Sequence, residues 1–227
     1  MPCSPRSSSA EPLLWRLEEG LTIACSLAAD GDLRQPTARQ SWCARAGIPP
    51  PFVPLRQPHG NRVLDEDGAA GDGDAVVGRA ALGVFGADCP ALVLAAPDAF
   101  AVAHCGWRSI AAGIVPAVIA ALAARTAAPR SAWRAFIGPA VHPDDYEVDD
   151  PVLRAHPWPK ESLRPGRPGR AWLDLPVAIA CDLAAAGIAW IARSALCTSR
   201  DPRLHSHRRD GPGAPQLLVA WRAACAS

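Results

Sequence analysis

A mixed α+β fold in a single domain is what the sequence predicts, on three observations. Short apolar runs of strand character, such as residues 21–27 and 99–104, alternate with stretches of helical composition, such as residues 109–125. Neither GxGxxG nor GxxxxGK(S/T) occurs, which argues against a dinucleotide-binding or P-loop fold. At 227 residues the chain can bury a sizeable core and is most simply one domain. Residues 13–227 are assigned to that domain, and the polar, Pro/Ser-rich residues 1–12 to a disordered tail.

Taken in order, residues 21–27 read as a strand, and residues 37–46 as a short helix stopped by Gly47 and the prolines at 49–51. Residues 56–59 end a strand or form a turn, which Gly60 and Asn61 break. Residues 69–74 are a Gly/Asp turn and residues 75–77 a short buried strand. Residues 82–86 lead into a corner at Asp88-Cys89-Pro90, where Pro90 lacks a backbone donor and stops the ladder. Residues 91–96 and 99–104 form a hairpin through Pro97 and Asp98. Residues 109–125 are helical, with Pro116 kinking one helix or starting a second. Residues 133–137 are a strand closed by Gly138 and Pro139. The Pro-, Arg- and Gly-rich residues 151–170 read as an irregular connection. A helix over 173–186 ends at Gly187, a strand follows over 188–193, and residues 217–224 form a last strand or helix.

Apolar residues make up 49% and charged ones 20%, the balance of a soluble globular protein, and a net charge of +1 gives no reason to expect nucleic acid or an anionic membrane as partner. Arginine supplies all but one of the 23 basic side chains, Lys160 being the exception, which reads as codon bias rather than a basic patch. No apolar run reaches the roughly 18–20 residues of a membrane span. The eight cysteines include no CxxC, and the N-terminus has no apolar signal core. These features point to free thiols in a reducing cytoplasm; a monomer or small homo-oligomer is expected.

Three residues carry the chemistry. His59 lies in Gln57-Pro58-His59-Gly60, Cys89 follows Asp88, and His104 precedes Cys105-Gly106-Trp107-Arg108. Two imidazoles and a thiolate suit zinc or copper, and three protein ligands leave a position open, as a catalytic site requires. Asp74 and Asp88 are candidates to orient a histidine ligand through its second nitrogen; Asp88 capping a turn is the equal alternative.

These segments, together with Gly73-Asp74-Ala75, Ile137-Gly138-Pro139-Ala140, Tyr146-Glu147-Val148, Cys197-Thr198 and Ser206-His207-Arg208-Arg209-Asp210-Gly211, resemble the laccase-domain family. Its members are named polyphenol oxidoreductases, peptidoglycan editing factors or purine nucleoside phosphorylases. The resemblance implies a four-layer α/β/β/α fold of mixed sheets, similar to that of bacterial deamidating toxins. It implies Zn2+ on His59, Cys89 and His104, with Cu2+ able to enter the same site. It also implies phosphorolysis of adenosine, inosine, guanosine and methylthioadenosine, with adenosine deamination as a second activity. The substrates are then a nucleoside and phosphate. Cys89, Asp88, Arg208 and Arg209 are the catalytic candidates; Arg108, Trp107, Gly138 and Tyr146 are the substrate-binding ones.

The chain departs from the family at three places. It has no Thr-Arg-x-Gly-Gly-x-Ser loop after the first strand, and histidines at 205 and 207 stand where aromatic residues are usual. Asp144 and Asp145 replace a pair of cysteines. The rival readings are copper-dependent phenol oxidation, editing of peptidoglycan precursors, a metal-free cysteine hydrolase using Cys89 and His104, and a metal-stabilised binding module.

Overall fold

The protein is described by a computed structural model that covers residues 11–17, 20–50, 52, 54–68 and 71–222. Most of the expected tail, part of the 69–74 turn and residues 223–224 of the last element lie outside the described residues. The chain begins with β1 (Leu13–Arg16) and β2 (Leu21–Cys25), then α1 (Pro36–Ala46), which opens on a proline at its first position and closes on Gly47 in the left-handed conformation. The strands β3 (Val63–Asp65), β4 (Ala75–Gly78), β5 (Leu82–Gly86), β6 (Ala91–Ala95) and β7 (Phe100–His104) follow. Next come α2 (Trp107–Ala111) and α3 (Ile114–Ala123), separated at Gly113, whose φ of 87° no β-branched or bulky residue holds cheaply. Pro116 sits in the first turn of α3, so the expected segment is two helices rather than one kinked helix.

The second half contains β8 (Arg134–Ile137), β9 (Glu147–Val148), α4 (Asp150–Leu153), β10 (Leu163–Pro165) and β11 (Ala171–Leu173). It ends with α5 (Leu175–Ala185), β12 (Trp190–Arg193), α6 (His207–Asp210) and β13 (Gln216–Arg222). Strands β12-β8-β6-β7-β4-β3 form a mixed sheet in which the outer pairs, β12 with β8 and β3 with β4, are parallel. Strands β1-β2-β13-β5 form an antiparallel sheet.

The period of two along β6 shows how the layers stack. Leu92 and Leu94 enter a core shared with α3 and α5, whereas Val93 and Ala95 enter one shared with Ile23, Val84 and Leu218 of the other sheet. On the far side of β13, Leu217 and Val219 pack on Trp42 of α1. The order is helix, sheet, sheet, helices, the four-layer arrangement that the family resemblance implies. Both faces of β6 and β7 are buried, which explains their continuous apolar runs. Each fully buried Leu or Val there contributes roughly 1.5–3 kcal/mol.

Two expectations are corrected and one open alternative is settled. Residues 151–170 are not irregular throughout: β10 pairs antiparallel with β11, and β11 with β9, in a three-stranded sheet. Glu147 holds it, its buried carboxylate accepting the Arg167 backbone N–H at 2.9 Å and the guanidinium Nε–H at 2.7 Å. Leu173 ends β11 instead of starting the helix; Asp174 caps α5 by accepting the Val177 N–H at 2.9 Å. The last element is a strand, β13, hydrogen-bonded on both sides.

Candidate metal centre

The site forms where β7 ends and β6 begins. The register Ala91 opposite His104 places Pro90 and Cys89 across from the residues that follow His104. The loop carrying His59 is fastened from two sides. Gln57 donates to the Phe85 carbonyl and accepts the Phe85 N–H, both at 2.8 Å, while Asn61 donates to the Ala112 carbonyl at 2.6 Å. As a result, one ligand nitrogen from each of His59 and His104 and the Cys89 sulfur all lie within 4.8 Å of one another. The two imidazoles meet edge to face, 4.7 Å between centroids.

Asp74 is the organiser. It is fully buried, and its Oδ1 lies 2.9 Å from His104 Nδ1 and accepts the His59 N–H at 3.0 Å. Its Oδ2 accepts the Gly60 N–H at 2.6 Å, and its carbonyl accepts the His104 N–H at 2.7 Å. The carboxylate favours a proton on Nδ1, which would turn Nε2 of His104 toward a metal, the placement an orienting Asp74 needs.

Asp88 does something else. Its Oδ1 accepts the Thr198 hydroxyl at 2.5 Å and its Oδ2 the Arg208 backbone N–H at 2.7 Å. It ties the first turn of α6 to the corner that bears Cys89, and its carboxylate is given to that task rather than to a histidine. Among the described non-glycine residues, positive φ occurs only at His59 (63°) and Asp88 (79°). Backbone strain of roughly 1–3 kcal/mol per residue is concentrated at this one centre, as is usual for functional sites.

The donor set fits a soft-to-borderline divalent metal. Burial would push the Cys89 thiol up, but hydrogen bonds from His104 and His59 outweigh it and bring it down to about 7. That favours the thiolate, the form that binds metal. Burial likewise works against charge on His104, yet Asp74 and Cys89 raise it to about 9. Gly106 leaves room beside the ligands: a β-carbon there would lie 3.1 Å from Cys89 Sγ, 3.2 Å from His59 Cδ2 and 3.4 Å from His104 Cε1. Gly106→Val is therefore expected to weaken zinc binding roughly tenfold or more, the scale on which disturbed ligand support acts, as read by competition with a chromogenic chelator.

Around the centre, the expected substrate residues divide. The Arg208 guanidinium lies 5.0 Å from the centre of the Tyr146 ring, donates to the Glu147 carbonyl at 3.4 Å and has no carboxylate partner among the described residues. Arg108 stacks on Trp107 at 4.3 Å and is likewise without a carboxylate. Tyr146 lies within electrostatic reach of Cys89, Arg208, Asp88 and Arg108, and burial pushes its phenol up. Arg209 points elsewhere. It donates to the carbonyls of Thr198 at 3.1 Å and Leu204 at 2.6 Å and pairs with Asp210 at 2.7 Å, so it holds the 198–204 loop together. Gly138 is placed in packing: its N–H bonds to the Ala91 carbonyl at 2.8 Å, and a β-carbon would meet Leu218 at 2.7 Å. Neither His205, whose Nδ1 lies 3.2 Å from Asp210, nor exposed His207 joins the ligand cluster. Gln57 and Gly106 are the supporting residues that the sequence reading did not single out for a role.

A family model described as multi-copper polyphenol oxidoreductase laccase matches residues 28–221. The chain belongs to this family. Within this laccase-like family it is 34% identical over 197 residues to a purine nucleoside phosphorylase of Mycobacterium tuberculosis, covering 81% of this chain and 77% of that one. It is 33% identical over 187 residues to a protein named adenosine deaminase from an unknown prokaryotic organism, covering 72% and 71% of the two chains. Among solved structures, YlmD of Geobacillus stearothermophilus superposes with a TM-score of 0.86 at 24% identity over 96% of this chain and 98% of that one. A Neisseria meningitidis protein gives 0.85 at 24% identity over 95% and 100%. These likenesses support the four-layer fold.

Proposed function

We propose that this laccase-family chain is a zinc-dependent purine nucleoside phosphorylase acting on adenosine, inosine, guanosine and methylthioadenosine, with adenosine deamination as a side activity. The observation that carries the reading is the pairing of an open three-ligand centre with two arginines, Arg108 and Arg208, that lack carboxylate partners among the described residues. The names of the curated relatives support the same class of reaction.

In phosphorolysis, a phosphate oxygen forms a bond to the ribose C1′, the C1′–N bond breaks, and the base leaves with a proton. Arg108 and Arg208 hold the phosphate, since guanidinium matches its oxygens in bidentate geometry. Tyr146 stays protonated and offers a hydrogen-bond donor and a ring face beside Arg208. Asp88 keeps Arg208 in place through the α6 backbone. His59, Cys89 and His104 would hold the zinc, which when bound supplies Lewis acidity and lowers the pKa of water. Asp74 keeps the two imidazoles in register.

Copper-based phenol oxidation is disfavoured by supply. The chain has six histidines, and among the described residues only the one cluster could hold a metal. A metal-free cysteine hydrolase is the second reading, because Cys89 and His104 are already paired; activity that survives chelation would support it. The test is chromatography of inosine and adenosine incubated with zinc-loaded protein, with and without phosphate. Phosphate-dependent release of hypoxanthine and adenine is expected, and release independent of phosphate would overturn the phosphorylase reading.

The two adjacent arginines should behave differently. Arg208→Ala is expected to raise KM for phosphate roughly tenfold or more, the worth of a lost charge-assisted hydrogen bond, with Tm unchanged. Arg209→Ala is expected to lower Tm by several degrees, because five carbonyl and carboxylate groups lose their donor, with a smaller change in KM. Steady-state kinetics beside thermal denaturation separates the two.

A further inference from the structure

A cavity of about 380 Å³ opens at the same end of the six-stranded sheet as the metal centre. It lies outside the carboxyl ends of the parallel strands β8 and β12, where α5 begins, the crevice in which open α/β sheets take up ligands. Its volume is within the range of small-molecule sites. Ile137, Val141 and Pro176 supply an apolar wall; His142, Arg193 and Ser194 supply polar groups.

The charges around it are unevenly satisfied. Asp174, at the rim, is committed to the Val177 N–H as the cap of α5. Asp144 is paired with Arg164, and Asp145 with Arg200 at 2.7 Å. The Arg193 side chain, by contrast, has neither a carboxylate partner nor a hydrogen bond among the described residues. His142 Nδ1 lies 3.2 Å from the Asp144 backbone nitrogen and 3.3 Å from its carboxylate, so Asp144 engages that side of the ring. The cavity therefore combines an apolar wall with the uncommitted, positively charged guanidinium of Arg193.

We propose that this cavity is a binding site for a small organic anion, a carboxylate or phosphomonoester on an apolar body, with Arg193 holding the anionic group and Ile137, Val141 and Pro176 the body. The site is separate from the metal centre and does not depend on the nucleoside reading. One strand of chain divides the two: Val141 N–H bonds to the Asp88 carbonyl at 3.0 Å, and Thr198 N–H to the Ala140 carbonyl at 3.0 Å.

The test is calorimetric titration of the zinc-loaded full chain with phenyl phosphate and with benzoate, beside inorganic phosphate alone. Saturable binding of the aromatic anions is expected, persisting in Arg208→Ala and in Cys89→Ala. Arg193→Ala, at an exposed position that does not threaten folding, should weaken it at least tenfold. Ala195→Phe, which fills the cavity, should abolish it while zinc content stays at wild-type level. Absence of saturable binding to the wild type would overturn the proposal. So would affinity unchanged in both cavity variants, or loss in Arg208→Ala with retention in Arg193→Ala. A stronger response to the phosphomonoester than to benzoate, or the reverse, identifies which anion the site prefers.

Discussion

Replacing Cys89 by alanine is expected to remove both bound zinc and nucleoside turnover from a chain that remains folded. In the proposed centre the sulfur would supply the one anionic ligand, and two neutral imidazoles alone on an otherwise unchanged scaffold would hold a divalent ion poorly. The variant should carry well under a tenth of an equivalent of zinc by elemental analysis, and base release should fall to background. Its circular dichroism and Tm in chelator should match metal-free wild type, because Cys89 sits at a corner and not within either layer's core. Zinc retained at one equivalent in Cys89→Ala would remove Cys89 from the ligand set.

The second large effect belongs to Asp74. Removing its carboxylate in Asp74→Ala leaves the His59 and Gly60 N–H groups and the His104 ring without their acceptor. Buried polar groups left unpaired cost about 1–3 kcal/mol each, so a marked loss of stability is expected along with the loss of function. Zinc affinity should fall about 10–100-fold, the range observed when the partner of a metal-bound histidine is removed. Asp74→Asn is the more informative variant. Its carbonyl can still accept from His104 or His59, but its amide opposes the Gly60 N–H. It should fold with a smaller drop in Tm and still bind zinc less tightly than wild type. Equal zinc affinity for wild type and Asp74→Asn, measured by chelator competition, would show that Asp74 serves the loop alone.

How much of this site was legible before the structure depends on whether the information was local. His59, Cys89 and His104 stand beside glycines and prolines at the ends of apolar runs, and that local signature marks each of them. Asp74 was also identifiable, as an acid within a Gly/Asp turn ahead of a strand. The distinction between Asp74 and Asp88 was not. Both are acids beside a ligand-bearing segment, and only tertiary placement shows that one meets an imidazole while the other meets Thr198 and α6. Arg208 and Arg209 are a sharper case, since neighbouring helical positions point in different directions and one turns to Tyr146 while the other turns to the 198–204 carbonyls.

The fold divides in the same way. The hairpin of β6 and β7 was visible because both strands are buried on two faces and carry unbroken apolar runs. The small sheet of β9, β10 and β11 was hidden among prolines, arginines and glycines. Its strands have two or three residues each, too short to show a period of their own, and Glu147 grips Arg167 from 20 residues away. The short strands β1 and β3 went unread for a similar reason: each borrows its order from a neighbour, β2 or β4, rather than from its own pattern.

The most direct test is a zinc titration of metal-free protein, following hypoxanthine release from inosine in saturating phosphate. The rate should be at background without metal, rise linearly, and reach a plateau at one equivalent of zinc. Full activity before any zinc is added, and undiminished by a chelator, would contradict the metal-dependent phosphorylase and leave the cysteine hydrolase in its place.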